Sequence, residues 1–343
     1  MDLADFAYDL PERAIAQHPA EPRDAARLLV DRGAAGIAHR TVADLPELVG
    51  PGDVLVVNTT RVLPARLLLR KPTGGEVEVL LVERAPAGHW EALVRPGRRV
   101  HPGTVLDAGP DLVVHVGGPG TGDGTREVRL EVTGGGDELD VLARHGVVPL
   151  PPYITAPLAD PERYQTVYAD QPGSVAAPTA GLHLTDAVLA GCRAAGATIA
   201  PVDLVVGLGT FRPMAAPKVE DHHMHAERYV VPPATLAACH QARAGGGRVV
   251  AIGTTTVRAL ESAALSGELS GRTELFIHRP WRWRLVDVLM TNFHLPRSSL
   301  LVLVDAFVGD RWRDLYAAAL AEGYRFLSFG DAMWLTRTAG EAG

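Results

Sequence analysis

The chain has 343 residues, room for two domains or one large one, with 47% apolar and 21% charged residues, as soluble globular chains have. Thirty-three basic against 40 acidic residues leave a formal charge of −7, so nucleic acid would have to be met by a local basic patch. The two cysteines, Cys192 and Cys239, leave no disulfide framework; no apolar run has membrane-span length, and MDLADFAYDLPER lacks the layout of a secretion signal. A cytoplasmic enzyme, acting as a monomer and without a membrane partner, is the expectation.

Near the start, Asp9–Arg13 opens a short helix, Arg27–Asp31 reads as a strand and Gly33–Gly36 as its turn. Asp53–Asn58 is a continuous apolar run of the kind buried on both faces. From Arg61 to Val148 short apolar runs recur between turn signals: Glu76–Val82, Trp90–Val94, Thr104–Leu106, Leu112–Val116 and Glu127–Val132. Strands at this spacing, with no helical stretch among them, predict an antiparallel barrel or small sandwich. The glycine-rich stretches 117–124 and 134–136 read as loops without a role, and Pro149–Pro152 as the seam where the chain leaves the barrel.

Beyond Tyr153, strand-like runs (Thr198–Val206, Gly247–Gly253, Trp283–Met290, Arg325–Phe329) alternate with amphipathic segments. The amphipathic segments are Thr185–Ala195, Ala234–Ala244, Thr255–Ala264, Ser298–Phe307 and Arg311–Ala321. The expected architecture is an α/β domain with an open, largely parallel sheet, formed by residues 1–60 and 149–343, with an antiparallel β-barrel inserted at 61–148.

Ligands of open α/β sheets gather beyond the carboxyl ends of the strands, where helix starts leave N–H groups free. Four segments place polar residues and glycines there. After Val249–Gly253 come Thr254, Thr255 and Arg258, which either hold a ligand or form an ordinary capped helix with Arg258 beside Glu261. After Val202–Val206 come Gly207, Gly209 and Thr210; a lone GxG is too little for a dinucleotide fold but suits close backbone approach. After Leu285–Met290 a polar loop carries Asn292, His294 and Arg297. Finally, Thr179, Gly181 and His183 precede a helix that Thr185 can cap.

Asp221, His222, His223, His225 and Glu227 are suitable metal ligands, but their spacing matches no familiar zinc framework, so proton transfer or substrate contact is preferred and no metal is expected. Arg279, Trp281, Arg282 and Arg284 interleave cations with indoles and, if extended, would pair with phosphates and stack on bases; an edge strand with buried tryptophans is the plainer reading. Arg61, Arg98 and Arg99 are further candidates for a basic surface.

Taken in order, these motifs resemble the S-adenosylmethionine:tRNA ribosyltransferase-isomerase family of queuosine biosynthesis. The resemblance runs nearly end to end: Tyr8-Asp-Leu-Pro11, Gln17-His-Pro19, Glu21-Pro-Arg-Asp24, Thr60-Arg-Val62, Trp90–Gly97, Pro149–Ile154, Tyr164–Tyr168, Ala176–His183, Gly207–Phe211, Met224-His225, Thr291–Pro296 and Gly330–Met333. It implies an α/β domain carrying an inserted barrel. It also implies transfer and isomerisation of the ribosyl group of S-adenosylmethionine onto 7-aminomethyl-7-deazaguanine at the wobble position of tRNA. Adenine and methionine leave, epoxyqueuosine-tRNA forms, and no cofactor or metal is needed beyond the co-substrate. On that basis His183 or His225 handles protons, with Asp221 or Glu227 setting tautomer and orientation. Thr179, Gly181, Gly207, Gly209, Thr210, Thr254, Thr255, Arg258, Asn292, His294 and Arg61 hold substrate.

The chain also departs from the family pattern. It has Thr59 where the family commonly has Asp, Val205 where His is frequent, and His278-Arg-Pro-Trp281 in place of Tyr-Pro-Gly-Tyr. These departures keep two alternatives open: the same donor with another acceptor, or a non-catalytic RNA-binding protein on the same fold.

Overall fold

The computed structural model describes residues 1–71, 73–85, 88–122, 124–207, 214 and 216–337. Its centre is a nine-stranded sheet, in the order Ser270–Thr273, Glu227–Val230, Thr198–Leu204, Val54–Asn58, Val249–Ile252, Val288–Asn292, Ala332–Thr336, Arg27–Asp31 and Ile37–Thr41. The four strands from Thr198–Leu204 to Val288–Asn292 are mutually parallel. Val54–Asn58 lies among them and is buried throughout, as its unbroken apolar run requires.

Among the described residues the strands are accompanied by six α-helices: α1 (Glu138–His145), α2 (Asp186–Ala194), α3 (Pro233–Ala244), α4 (Thr254–Ser266), α5 (Ser299–Val308) and α6 (Trp312–Ala321). Alternate residues of each strand enter opposite layers. Val54 and Val56 join the core with Cys239 of α3, Leu260 of α4, Leu301 of α5 and Trp312 of α6. Leu55 and Val57 join the other core, with Leu189 of α2 and Leu45 of a 3-10 turn. Thr185 caps α2 and Ser298 caps α5 through their side-chain oxygens.

The second body is a closed antiparallel barrel of Arg66–Arg70, Glu76–Arg84, Trp90–Arg95, Arg126–Val132, Leu112–Pro119 and Thr104–Gly109. The ring closes between the first and last of these at Arg70 and Asp107. The mixed α/β architecture with a barrel therefore stands as the sequence predicts. The large sheet takes its strands from residues 27–58 and 198–336, on either side of the barrel strands at 66–147.

Three local expectations fail for identifiable reasons. Helix α1 breaks the all-strand reading of the barrel region; Asp137 caps it and only Val141 and Leu142 are buried, too short an apolar stripe to read as a helix. Arg325–Phe329 is no strand: it makes one isolated bridge, at Phe326, and Leu327 has φ 69°, so the final strand is Ala332–Thr336. Trp283–Asp287 is not ladder-paired either. The wholly buried Glu261 carboxylate of α4 accepts the N–H groups of Arg284 (3.0 Å), Leu285 (2.9 Å) and Val286 (3.1 Å), diverting them from a sheet. The ladder begins only at Val288.

Because Glu261→Ala strands these buried N–H groups, it should destabilise the fold by about 3 kcal/mol or more. Glu261→Gln, which keeps an acceptor, should cost less. Urea unfolding of the two variants checks the order.

Candidate active site

The carboxyl ends of the parallel strands meet at one rim, where a cavity of about 60 Å³ opens. Gly253, at φ 91°, turns the chain from Ile252 directly into α4, so Thr254 and Thr255 face the cavity from the first turn of the helix. Ser298, the cap of α5, lines the same space. Two helix starts therefore point their positive ends at one small volume. The remaining polar lining comes from Thr179, Thr291, Asn292, His294, Tyr153 and Ser328, and no Asp, Glu, Lys or Arg stands among the described lining residues.

A buried network holds the rim. The Asn292 amide nitrogen donates to His183 Nε2 at 2.9 Å, while the amide oxygen accepts the Thr179 hydroxyl at 2.9 Å. A lone pair engaged by an amide donor makes His183 a neutral imidazole with its proton on Nδ1. Burial, aided by the positive charges of Arg325 and Arg23, pushes its pKa down to about 3. His294 lies 3.1 Å from the Thr291 hydroxyl, and burial lowers its pKa likewise to about 3. At the neighbouring strand end, the buried Asn58 amide donates to the Leu204 carbonyl (3.0 Å) and to the Thr255 hydroxyl (3.2 Å). It also accepts the Leu204 and Thr60 N–H groups, both at 3.2 Å.

A second cavity, of about 260 Å³, separates the barrel from the sheet. Val205 and Gly207 line it, whereas Val206 between them lines the first cavity, so this one strand exit is the wall common to both. His225 and Glu227 are here. Glu227 is buried, accepts the Gly207 N–H at 2.9 Å and is ion-paired to the equally buried Arg258.

The expected proton-handling quartet is thus not one cluster. His183 is buried behind Asn292, His225 and Glu227 line the second cavity, and Asp221 is exposed on the turn Val219–Asp221. Arg258 does not line the first cavity; it serves Glu227 and the carbonyls of Thr273 and Leu275. Gly181 is needed for packing, since a Cβ there would strike the Tyr168 hydroxyl. Gly209 and Thr210 lie outside the described residues. No group of three or more His, Cys, Asp and Glu side chains suited to a metal occurs among the described residues.

The aromatic-basic segment is not an extended stacking ribbon. Arg279 makes two 2.7 Å bonds to the buried Asp305, Trp281 donates to Glu261, and Trp283 packs edge-on against Phe307. Arg284 lies over the Trp281 ring, and Arg282 remains exposed. Arg98 and Arg99 are exposed on a barrel turn, and Arg61 pairs with Glu162.

A family model described as queuosine biosynthesis protein matches residues 3–335. The chain belongs to this family. It is 53% identical over 338 residues to the S-adenosylmethionine:tRNA ribosyltransferase-isomerase of Rubrobacter xylanophilus, covering 98% of each chain. The enzyme of the same name from Synechococcus elongatus is 50% identical over 340 residues, covering 96% of this chain and 94% of its own. A crystal structure of S-adenosylmethionine tRNA ribosyltransferase from Thermotoga maritima superposes with TM-score 0.55 at 38% identity, over 96% of this chain and 99% of that one. The resemblance carried by the sequence motifs is borne out, and the enzyme class is that of these relatives.

Within that family, one departure sits beside a carboxylate from the next strand. Thr59 lacks a carboxylate, but its hydroxyl donates to Asp203 Oδ1 at 2.7 Å, so the adjacent strand brings a carboxylate to the same place. Sequence reasoning gave no role to Asn58, Tyr153, Thr291 or Ser328. Tyr153 and Ser328, 2.7 Å apart, meet only through the tertiary fold, whereas Asn58 ends an apolar strand and Thr291 is the last residue but one of another, and both had a readable signal there.

Both depressed imidazoles carry a pH consequence. Below pH 6.5 the unfolded chain takes up protons at His183 and His294 that the folded chain refuses until about pH 3. Their contribution to stability is therefore complete above pH 6.5 and falls between 6.5 and 3, by up to about 1.4 kcal/mol per pH unit for each. His183→Gln, which keeps an acceptor for Asn292, should remove about half of that slope, as urea midpoints at pH 5 and pH 7 would show.

Proposed function

We propose that the chain transfers the ribosyl group of S-adenosylmethionine onto 7-aminomethyl-7-deazaguanine in tRNA and isomerises it, releasing adenine and methionine. Epoxyqueuosine-tRNA is the product, and the enzyme works as a cytoplasmic monomer without a metal or further cofactor. No helix among the described residues is long and apolar enough to cross a membrane. The observation that supports the reading best is the polar but uncharged cavity where two helix starts meet.

Each feature of that cavity suits the donor. The starts of α4 and α5 favour its carboxylate, with the hydroxyls of Thr254, Thr255 and Ser298 as partners. Thr179 and Asn292, fixed through His183, serve ribose or base. The lining offers the sulfonium no countercharge, so the positive sulfur keeps its full pull on the C5′–H bond. A cavity of about 60 Å³ holds only part of such a molecule. The remainder passes the Val206 wall toward the larger cleft, where the acceptor base sits.

Chemically, a base takes the C5′ proton, and adenine departs with a proton as the sugar opens. The acceptor amine forms its bond to the sugar and gives up a proton, and a sugar oxygen closes the epoxide at C5′ as methionine leaves as a neutral thioether. No external oxidant or reductant is required. His183 and His294 are held neutral in buried hydrogen bonds, which leaves the exposed His225 as the imidazole for proton transfer and makes His183 a positioning residue. Glu227, committed to Arg258 and Gly207, shapes the wall beside His225. Arg282, Arg98 and Arg99 are the exposed cations of the expected set available to RNA phosphates.

Incubation with S-adenosylmethionine and tRNA bearing the aminomethyl base should release adenine and add the ribosyl-derived mass to the tRNA. Absence of both products would overturn the reading, and release with the free base alone would replace the acceptor. Under single-turnover conditions His225→Ala should slow adenine release by about 100-fold or more. Near-normal chemistry in that variant would remove His225 from the mechanism.

A further inference from the structure

Of the charged side chains lining the cleft between barrel and sheet, one carboxylate stands apart. Glu83 is ion-paired with Arg272, and Glu227 with Arg258. Glu91, on the barrel strand Trp90–Arg95, has no cation within ion-pair distance among the described residues, although it is only 9% exposed. Its partners are neutral. The Thr121 N–H and hydroxyl donate to Oε1 at 3.0 and 3.2 Å, and the Thr125 hydroxyl donates to Oε2 at 2.5 Å. Burial pushes its pKa up, but the hydrogen bonds of Thr125 and Thr121 outweigh this and hold the carboxyl below its ordinary value.

The surrounding chain is built for this group. A Cβ at Gly120 would collide with Glu91 Oε2, so the loop reaches the carboxylate only because glycine stands there. That loop belongs to the glycine-rich stretch for which the sequence suggested no role. A buried anion held by dipoles alone is costly unless a cation arrives to complete it. Glu91 faces a space of about 260 Å³, near the lower bound of small-molecule sites, with His225 and Gly207 on the opposite wall.

We propose that Glu91 is the specificity determinant for the acceptor, its carboxylate receiving the primary ammonium of the aminomethyl arm as the base enters the cleft. This rests on the acceptor assigned above. Seating the ammonium on Glu91 places the arm in the cleft that shares its wall with the donor cavity, and a base carrying an uncharged arm forgoes the charge-assisted bond. Arg228, exposed at the same cleft with no carboxylate in ion-pair range among the described residues, is placed for the phosphodiester of that nucleotide.

The test uses Glu91→Gln, which keeps shape and acceptor but removes charge, and Glu91→Asp, which keeps charge on a shorter arm. Steady-state kinetics with aminomethyl-bearing tRNA should show KM for tRNA raised about 10- to 100-fold in Glu91→Gln, with calorimetric binding of S-adenosylmethionine unchanged. Glu91→Asp should recover part of the loss. Direct binding should show wild type preferring 7-aminomethyl-7-deazaguanine to its 7-methyl counterpart, and Glu91→Gln losing that preference. An unchanged KM and an intact preference in Glu91→Gln, with wild type active, would overturn this inference alone. A wild type that releases no adenine with this tRNA would overturn the function it rests on. Should Glu91→Gln not fold, the comparison of the two bases on wild type decides: no preference for the aminomethyl base over its 7-methyl counterpart excludes the ion pair.

Discussion

Four adjacent parallel strands that end at one rim impose the constraint on which the rest of the molecule depends. Such strands are covered on both faces, so the backbone groups at their carboxyl ends meet protein rather than water. Each end must find partners there, and the chain supplies them with amides. Asn58 ends one strand and bonds its neighbour's backbone at Leu204 in both directions. Asn292 ends another and is clamped between His183 and Thr179. A rim satisfied in this way is rigid, and the hydroxyls that remain around it form a preorganised polar surface.

Buried charge is used differently. Glu261 lies within α4 and Glu227 on the strand Glu227–Val230, and both are tied to specific donors. Glu261 turns the approach to Val288–Asn292, and Glu227 with Arg258 fixes the strand Glu227–Val230 against α4 and the glycine after Val206. Breaking either would leave a buried group unpaired, so these contacts hold the loops in one arrangement. They belong to the frame that carries the site.

Much of this was legible in the sequence because it is local. The unbroken apolar run Val54–Val57, the glycine ending Val249–Ile252, the caps Thr185 and Ser298, and the polar loop after Met290 each announce their place by residue type and spacing. What escaped depends on distant partners. His183 reads as a reactive imidazole until its ring is found enclosed, accepting an amide 109 residues away. Arg258 reads as a ligand contact until Glu227, 31 residues earlier, is found beside it. Thr59 reads as a lost carboxylate until Asp203 is found on the next strand, 144 residues on. Spacing reveals which groups are present, whereas burial and pairing decide which are available for chemistry.

Availability also explains why two cavities serve better than one. A sulfonium donor needs surroundings that neither neutralise its charge nor admit water, whereas an ammonium-bearing acceptor needs an anion. In a single pocket the anion chosen for the acceptor would also stabilise the donor's ground state and blunt its reactivity. Here the uncharged lining and the carboxylates lie on opposite sides of the strand exit Val205–Gly207, whose alternating residues face the two spaces in turn. One extended segment thus separates two electrostatic environments by the thickness of a backbone, and with donor and acceptor placed as proposed the ribosyl group would cross only that wall.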